Sequence, residues 1–188
     1  MNILFVCTGN TCRSPMAEAI LRSKHTGFNV ASAGIFAGEG QPMSEGSKQV
    51  LQEEGIETKH ESRTVTPELL AWADLILTMT ERHKQALMVQ ESDHGDKIFT
   101  LKEYALISED QWERLKSLYS KVEEKRAQNG DWKAACQEEL EEIEAIEESL
   151  PDVNITDPFG GDQRVYQQTY REMVEYIELL IGKAGDQK

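Results

Sequence analysis

Short apolar runs alternate with amphipathic stretches along most of the chain, a pattern typical of an α/β fold. Four runs are short and apolar enough for buried parallel strands: residues 2–6, 29–33, 73–79 and 97–101. The stretches between and after them have apolar residues at helical spacing: residues 14–24, 44–54, a short helix capped by Thr66, 80–89 and 166–181. This order predicts a small, doubly wound, four-stranded parallel sheet with flanking helices.

The segment at about 107–154 interrupts this alternation. Ser108 and Gln111 match a capping box and begin one amphipathic helix. A turn is predicted at Asn129-Gly130, and Asp131 is predicted to cap a second helix. We therefore predict an inserted helical hairpin over this segment.

Length and composition predict one soluble globular domain over residues 1–188. Hydrophobic residues make up 39% of the chain and charged residues 29%. No apolar stretch approaches the ~20 residues that span a bilayer, and the apolar N-terminus is too short for a signal peptide. The three cysteines, Cys7, Cys12 and Cys136, match neither a disulfide framework nor a zinc pattern, which favours a reducing cytoplasm.

The charge of the chain restricts its partners. The formal net charge of −14 argues against nonspecific binding to nucleic acid or to an anionic membrane. Residues 107–154 hold 14 acidic and six basic residues, a net charge of −8. An anionic substrate would therefore need locally positive groups at its site.

The loop after the first predicted strand has the composition of a phosphate-binding loop. It contains Cys7, Thr8, Gly9, Asn10, Thr11, Cys12, Arg13 and Ser14. At a strand-to-helix junction its backbone N–H groups can form an anion nest, and the Arg13 guanidinium can bind phosphate bidentately. The same positive field favours the thiolate form of Cys7. The alternative for Cys7 is an ordinary buried cysteine, but its spacing to Arg13 favours phosphate chemistry.

A thiolate that attacks phosphorus needs an acid to protonate the leaving group. Asp157, in the sequence DPFGG, is the candidate. Pro158 favours an extended backbone at Asp157, and the two glycines permit a tight turn. An ordinary Asp-Pro turn is the alternative.

The segments VCTGNTCRSPMAEA and DPFGG resemble the low-molecular-weight protein tyrosine phosphatase family. The resemblance covers the chain outside the acidic hairpin. It implies a cysteinyl-phosphate intermediate on phosphorylated protein substrates, with no metal and no other cofactor. It also implies that Cys7 is the nucleophile, that Arg13 binds the phosphate, and that Asp157 acts as general acid and then as general base.

The resemblance further implies a hydrogen-bond network that supports the loop. Its members would be Asn10, Ser32 and His60. For His60 an ordinary surface histidine is the alternative.

Two residues bear on which phosphorylated side chain is cleaved. Thr11 stands where tyrosine-specific members have an aliphatic residue, and Phe159 follows Asp-Pro where they have an aromatic pair. This combination is similar to the bacterial branch that dephosphorylates protein arginine, and Phe159 can stack on a guanidinium plane. A tyrosine phosphatase remains an alternative. Arsenate reduction is a third possibility, but it needs further cysteines, and Cys136 has the spacing of a packed core residue.

Overall fold

A computed structural model of the chain describes residues 1–90, 92–128, 132–149 and 151–185. The strands are β1 (Asn2–Cys7), β2 (Asn29–Gly34), β3 (Leu75–Thr78) and β4 (Ile98–Thr100). The helices are α1 (Arg13–Lys24), α2 (Glu45–Glu53), α3 (Pro67–Trp72), α4 (Glu81–Gln90), α5 (Leu101–Leu106), α6 (Glu109–Gln128), α7 (Trp132–Ala135), α8 (Gln137–Glu148) and α9 (Gln163–Gly185). A 3₁₀ helix spans Ser92–Lys97.

The four strands form one parallel sheet in the order β2-β1-β3-β4. After β1 the chain crosses to β2 on one side, whereas after β3 it crosses to β4 on the other side. The loops after β1 and β3 therefore diverge, and a crevice opens at the carboxyl ends of these two strands. The predicted doubly wound, four-stranded α/β fold is confirmed.

The sheet is buried on both faces. One face packs on α3 and α4, through Leu4, Val6, Ala31, Ala33, Ile76 and Ile98 from the sheet and Leu70, Ala73 and Leu87 beyond it. Because side chains alternate along a strand, Ile3, Phe5, Leu77 and Phe99 face the opposite layer, and each is at most 1% exposed. Burial of each large apolar side chain contributes about 1.5–3 kcal/mol, which fixes the strand ends that support the loops.

Several helix ends follow the local sequence signals. The Thr66 side chain accepts a hydrogen bond from the Leu69 N–H, and Pro67 occupies the first turn of α3, as predicted. Gly55, the predicted stop signal of α2, has a φ of +71° just after the helix.

The fourth strand is shorter than the predicted 97–101, because α5 begins at Leu101. Thr100 and Glu103 form a reciprocal capping box at this point. The Glu103 N–H donates to Thr100 Oγ1 at 3.0 Å, and the Thr100 N–H donates to a Glu103 carboxylate oxygen at 3.0 Å. The helix signal ends the strand, and the predicted extension to Leu101 is wrong.

The chain divides into two compact units. The first contains Met1–Ala105 and the segment from Val153 onward, and the second contains Leu106–Asp152. The assignment of residues 1–188 to one domain with an insertion at about 107–154 stays a prediction.

Within the second unit, α6 packs on α7 and α8. The Ser108–Gln111 capping box is confirmed, since the Gln111 N–H donates to Ser108 Oγ and the Ser108 N–H donates to the Gln111 side chain. The second predicted helix is divided into α7 and α8 by a turn at the fully buried Cys136. The turn predicted at Asn129-Gly130 and the cap predicted at Asp131 lie outside the described residues.

Candidate active site

The loop between β1 and α1 lies at the crevice. Cys12 precedes α1 without a side-chain cap, so the first-turn N–H groups of α1 point into the loop. The buried Cys7 Sγ lies 3.0 Å from Ser14 Oγ and accepts a hydrogen bond from the Asn10 N–H at 3.3 Å. The sulfur therefore has polar contacts both to the loop and to the first turn of α1.

Asn10 fixes the middle of the loop. Its backbone has a φ of +54°, which asparagine tolerates better than most residues. Its buried amide donates to Ser14 Oγ at 2.9 Å and to Ser32 Oγ at 2.8 Å, and its side-chain oxygen accepts from the Arg63 N–H at 3.0 Å. His60 Nε2 lies 2.6 Å from the Asn10 carbonyl oxygen. The structure thus brings Asn10, Ser32 and His60 together around the loop.

Three supports of the loop were not predicted from the sequence. Glu18 accepts a hydrogen bond from Ser32 Oγ, and Arg63 reaches both Asn10 and the Ser32 carbonyl. Gly34 packs directly on the loop, because a Cβ there would lie 2.6 Å from the Thr8 carbonyl oxygen. These contacts join distant parts of the chain, so no local sequence signal identifies them.

Arg13 and Asp157 form an ion pair in the crevice. Arg13 Nη2 donates to Asp157 Oδ2 at 2.8 Å, with side-chain exposures of 7% and 53%. Asp157 Oδ1 accepts from the Phe159 N–H at 3.2 Å, and Gly160, with a φ of +79°, completes the turn. Phe159 itself is 78% exposed.

The junction between β3 and α4 holds the segment that leads to Asp157. The Ile155 N–H donates to the Met79 carbonyl at 2.8 Å, and the Glu81 N–H donates to Asn154 Oδ1 at 3.0 Å. The acid candidate is therefore fixed to the end of β3, and the nucleophile candidate to the end of neighbouring β1.

His83 contacts the same loop from the β3 side, and this contact was not predicted from the sequence. Its Nε2 lies 2.8 Å from Thr8 Oγ1, and its Nδ1 lies 2.9 Å from Thr80 Oγ1. Burial, together with the positive charge of Arg13, lowers the pKa of His83 from 6.5 to about 4, so the imidazole is neutral near pH 7.

The other side of the loop rests on the start of α2. The Ser44 N–H donates to the Thr11 carbonyl at 2.8 Å, and the Thr11 side chain is half-buried next to Cys12. Tyr166 of α9 is also buried here, and burial raises its pKa above the usual value. The Thr11 side chain is therefore partly accessible at the rim of the loop.

Neither a metal nor a membrane helix is indicated by the residues that the structure describes. Among them, no group of three or more His, Cys, Asp and Glu side chains is arranged to hold a metal ion. No described helix is both long enough and apolar enough to cross a bilayer. All three cysteines are free thiols.

Loop, sheet and acid segment together define a cysteine-dependent phosphate-transfer site. The model of the low molecular weight phosphotyrosine protein phosphatase family matches residues 2–145. The chain is 50% identical over 182 residues to the protein-arginine-phosphatase of Geobacillus stearothermophilus, covering 96% of this chain and 94% of that protein. It is 32% identical over 183 residues to low molecular weight protein-tyrosine-phosphatase PtpB of Staphylococcus haemolyticus, covering 97% and 96%.

A solved structure of a YwlE arginine phosphatase, with a phosphorylated active-site serine in place of cysteine, matches this fold with a TM-score of 0.74. The two sequences are 33% identical, and the match covers 100% of this chain and 98% of that one. The chain belongs to the low molecular weight phosphotyrosine protein phosphatase family.

Proposed function

We propose that this chain is a protein phosphatase that removes phosphate from arginine side chains through a cysteinyl-phosphate intermediate. The observation that carries the proposal is the placement of Cys7 and Arg13 in one loop, with Asp157 2.8 Å from the Arg13 guanidinium. Nucleophile, anion receptor and acid thus meet at the crevice. The similarity to a protein-arginine-phosphatase supports the choice of substrate.

The first step transfers the phosphoryl group to sulfur. The phosphate binds the loop N–H groups and Arg13, so the guanidinium exchanges its Asp157 partner for phosphate oxygens. The Asp157 carboxyl group, released from Arg13, acts in this step as the general acid. The Cys7 thiolate then attacks phosphorus, the S–P bond forms, the P–N bond breaks, and Asp157 gives its proton to the departing guanidine nitrogen.

The second step hydrolyses the intermediate. The Asp157 carboxylate takes a proton from a water molecule, and the water oxygen attacks phosphorus. The S–P bond breaks, phosphate leaves and the Cys7 thiolate returns, held by Ser14 and the Asn10 N–H. Arg13 stabilises the charge on the phosphoryl oxygens in both steps.

Two accessible side chains support phosphoarginine as the substrate. Thr11 places a partly accessible hydroxyl in the loop, and the exposed Phe159 follows Asp157 by two residues. A phosphorylated guanidinium has N–H donors beside phosphorus and a planar face, so it suits a hydroxyl and an aromatic ring.

A direct test compares turnover of phosphoarginine and phosphotyrosine peptides by the wild-type protein. We expect the higher kcat/KM on phosphoarginine, and Thr11→Ile should shift the ratio of the two rates toward phosphotyrosine. An unchanged ratio in Thr11→Ile would place selectivity elsewhere. Higher wild-type turnover of phosphotyrosine would support the second candidate, a tyrosine phosphatase, which the similarity to PtpB favours.

Three further variants test the residue roles. Cys7→Ser should bind phosphate without turnover, since a serine hydroxyl supplies no comparable anion. Arg13→Lys should also be inactive, because an ammonium group cannot reproduce the bidentate fork. Asp157→Asn should slow poor leaving groups by roughly 10²–10⁴-fold and activated aryl phosphates much less. An equal loss on both substrate types would make Asp157 merely structural.

We further infer a cytoplasmic location without nucleic-acid or membrane partners. Free thiols at Cys7, Cys12 and Cys136 support a reducing compartment, and the net charge of −14 opposes anionic partners. Arsenate reduction is disfavoured because Cys136 is fully buried and unsuited to a relay of exposed thiols.

A further inference from the structure

The first residue after the nucleophile has a partner of its own. Thr8 is exposed, and its Oγ1 lies 2.8 Å from His83 Nε2. The other ring nitrogen of His83 lies 2.9 Å from Thr80 Oγ1, which also accepts the His83 N–H at 3.3 Å as the cap of α4. The imidazole is therefore held at both nitrogens and fixes the Thr8 hydroxyl.

This contact lies on the side of the crevice where the acid is attached. Met79 and Glu81 hold the segment before Asp157, and His83 belongs to the same β3–α4 junction. His83 also lies within electrostatic range of both Arg13 and Asp157. The β3–α4 junction thus contacts both Thr8 and the segment that leads to Asp157, the proposed acid for the leaving group.

The chemistry of the Thr8 hydroxyl suits a guanidinium. A hydroxyl has one hydrogen and two lone pairs, and the bond to His83 uses one of these three. Whichever ring nitrogen of His83 carries the hydrogen, Thr8 Oγ1 keeps a lone pair for an N–H donor. A phosphorylated guanidinium offers such donors, whereas the ring of phosphotyrosine does not. The neutral imidazole adds no positive charge beside a cationic guanidinium.

We propose that Thr8 is a specificity residue in addition to Thr11, and that its hydroxyl oxygen accepts a hydrogen bond from the phosphorylated guanidinium. His83 is the positioning residue that holds this hydroxyl. The inference rests on the proposed phosphoarginine activity.

The test uses full-length Thr8→Val, His83→Phe and the double variant. Each single variant should lower kcat/KM on a phosphoarginine peptide by about tenfold, the effect of one hydrogen bond to a charged group. The double variant should lose no more than either single variant, because both remove the same contact. Turnover of a phosphotyrosine peptide should fall less than turnover of phosphoarginine, so the ratio of the two kcat/KM values should shift toward phosphotyrosine. Thr8→Ser should retain phosphoarginine turnover.

His25→Gln is the matched control, since His25 packs on Phe28 outside the site and should leave both rates unchanged. Equal losses on phosphoarginine and phosphotyrosine in Thr8→Val, or additive losses in the double variant, would overturn the inference. Thermal melts show whether His83→Phe, a substitution at a buried position, still folds. Thr8→Val removes the same contact at an exposed position, where the fold is less affected. A wild-type protein inactive on phosphoarginine would instead refute the proposed function, and with it this inference.

Discussion

Replacing Asn10 with alanine should destabilise the fold by about 4 kcal/mol. The buried amide makes three hydrogen bonds, to Ser14 Oγ, Ser32 Oγ and the Arg63 N–H, each worth about 1 kcal/mol. Alanine at a φ of +54° adds about 1 kcal/mol, because its Cβ clashes in the left-handed region.

Glycine at the same position separates the two contributions. Asn10→Gly loses the same three hydrogen bonds but adopts the positive φ without a clash, so it should lose about 3 kcal/mol. Urea denaturation at pH 7 measures both variants. Asn29→Ala is the matched control, since Asn29 makes an exposed amide contact with Asn2, and its loss should stay below about 1 kcal/mol.

Two results would refute this reasoning about Asn10. A loss below about 1 kcal/mol in Asn10→Ala would mean that the buried amide contributes little to the fold. A glycine variant no more stable than the alanine variant would mean that the backbone at Asn10 is not strained for other residues. Both variants should also lower kcat on an aryl phosphate, because the loop loses the side-chain hydrogen bonds that position the Asn10 N–H against the Cys7 sulfur.

Four further predictions concern other parts of the chain. Because the folded protein holds the pKa of His83 at about 4, the unfolded chain binds more protons than the folded chain between about pH 4 and 6.5. The contribution of His83 to the free energy of unfolding is therefore fully present above pH 6.5 and is lost as the pH falls toward 4. Urea titrations at pH 7 and 4.5 should show a smaller decrease in this free energy for His83→Gln than for the parent. Lys84→Met removes the cation 2.8 Å from the buried Glu103 carboxylate and should cost about 3–5 kcal/mol by thermal melt; a change below about 1 kcal/mol would contradict it. Replacing residues 106–152 by a Gly/Ser linker should spare turnover of an aryl phosphate but lower turnover of basic phosphoproteins, and this difference should fade at high salt. Equal losses on both substrates would indicate that the segment supports the fold and does not bind substrates. After peroxide treatment, thiol should restore far less activity in Cys12→Ser than in the parent, if Cys12 protects the nucleophile as a reversible disulfide; equal recovery would exclude that role.

The sequence predicts features that depend on neighbouring residues. The strand-to-helix junction at Cys7–Arg13, the Thr66 cap and the Ser108–Gln111 capping box each depend on residues only a few positions apart. Because the interacting residues are close in sequence, their spacing alone identifies such contacts.

Contacts between distant segments are not encoded in local spacing. His83 is one of several polar residues on α4, and its contact with Thr8 depends on β1 and β3 being neighbours in the sheet. Gly34 ends β2, and its close approach to the Thr8 carbonyl depends on how the loop folds back. The end of β4 is an intermediate case between local and distant signals. The Thr100–Glu103 capping box is visible in the sequence, but the apolar residues around it also match a strand, so the two local signals conflict.

An anion site in a chain of net charge −14 must operate at short range. At physiological ionic strength, exposed charges more than about 8 Å apart are largely screened, so acidic surfaces beyond that distance repel a phosphoryl group only weakly. Inside the crevice, the helix N-terminus and the buried Arg13 act at hydrogen-bond distance in a less polar medium. Asp157 pairs with Arg13 at 2.8 Å in the structure. In the mechanism that we propose, binding therefore exchanges one anion for another at Arg13, and the same exchange frees the carboxyl group that the first chemical step requires.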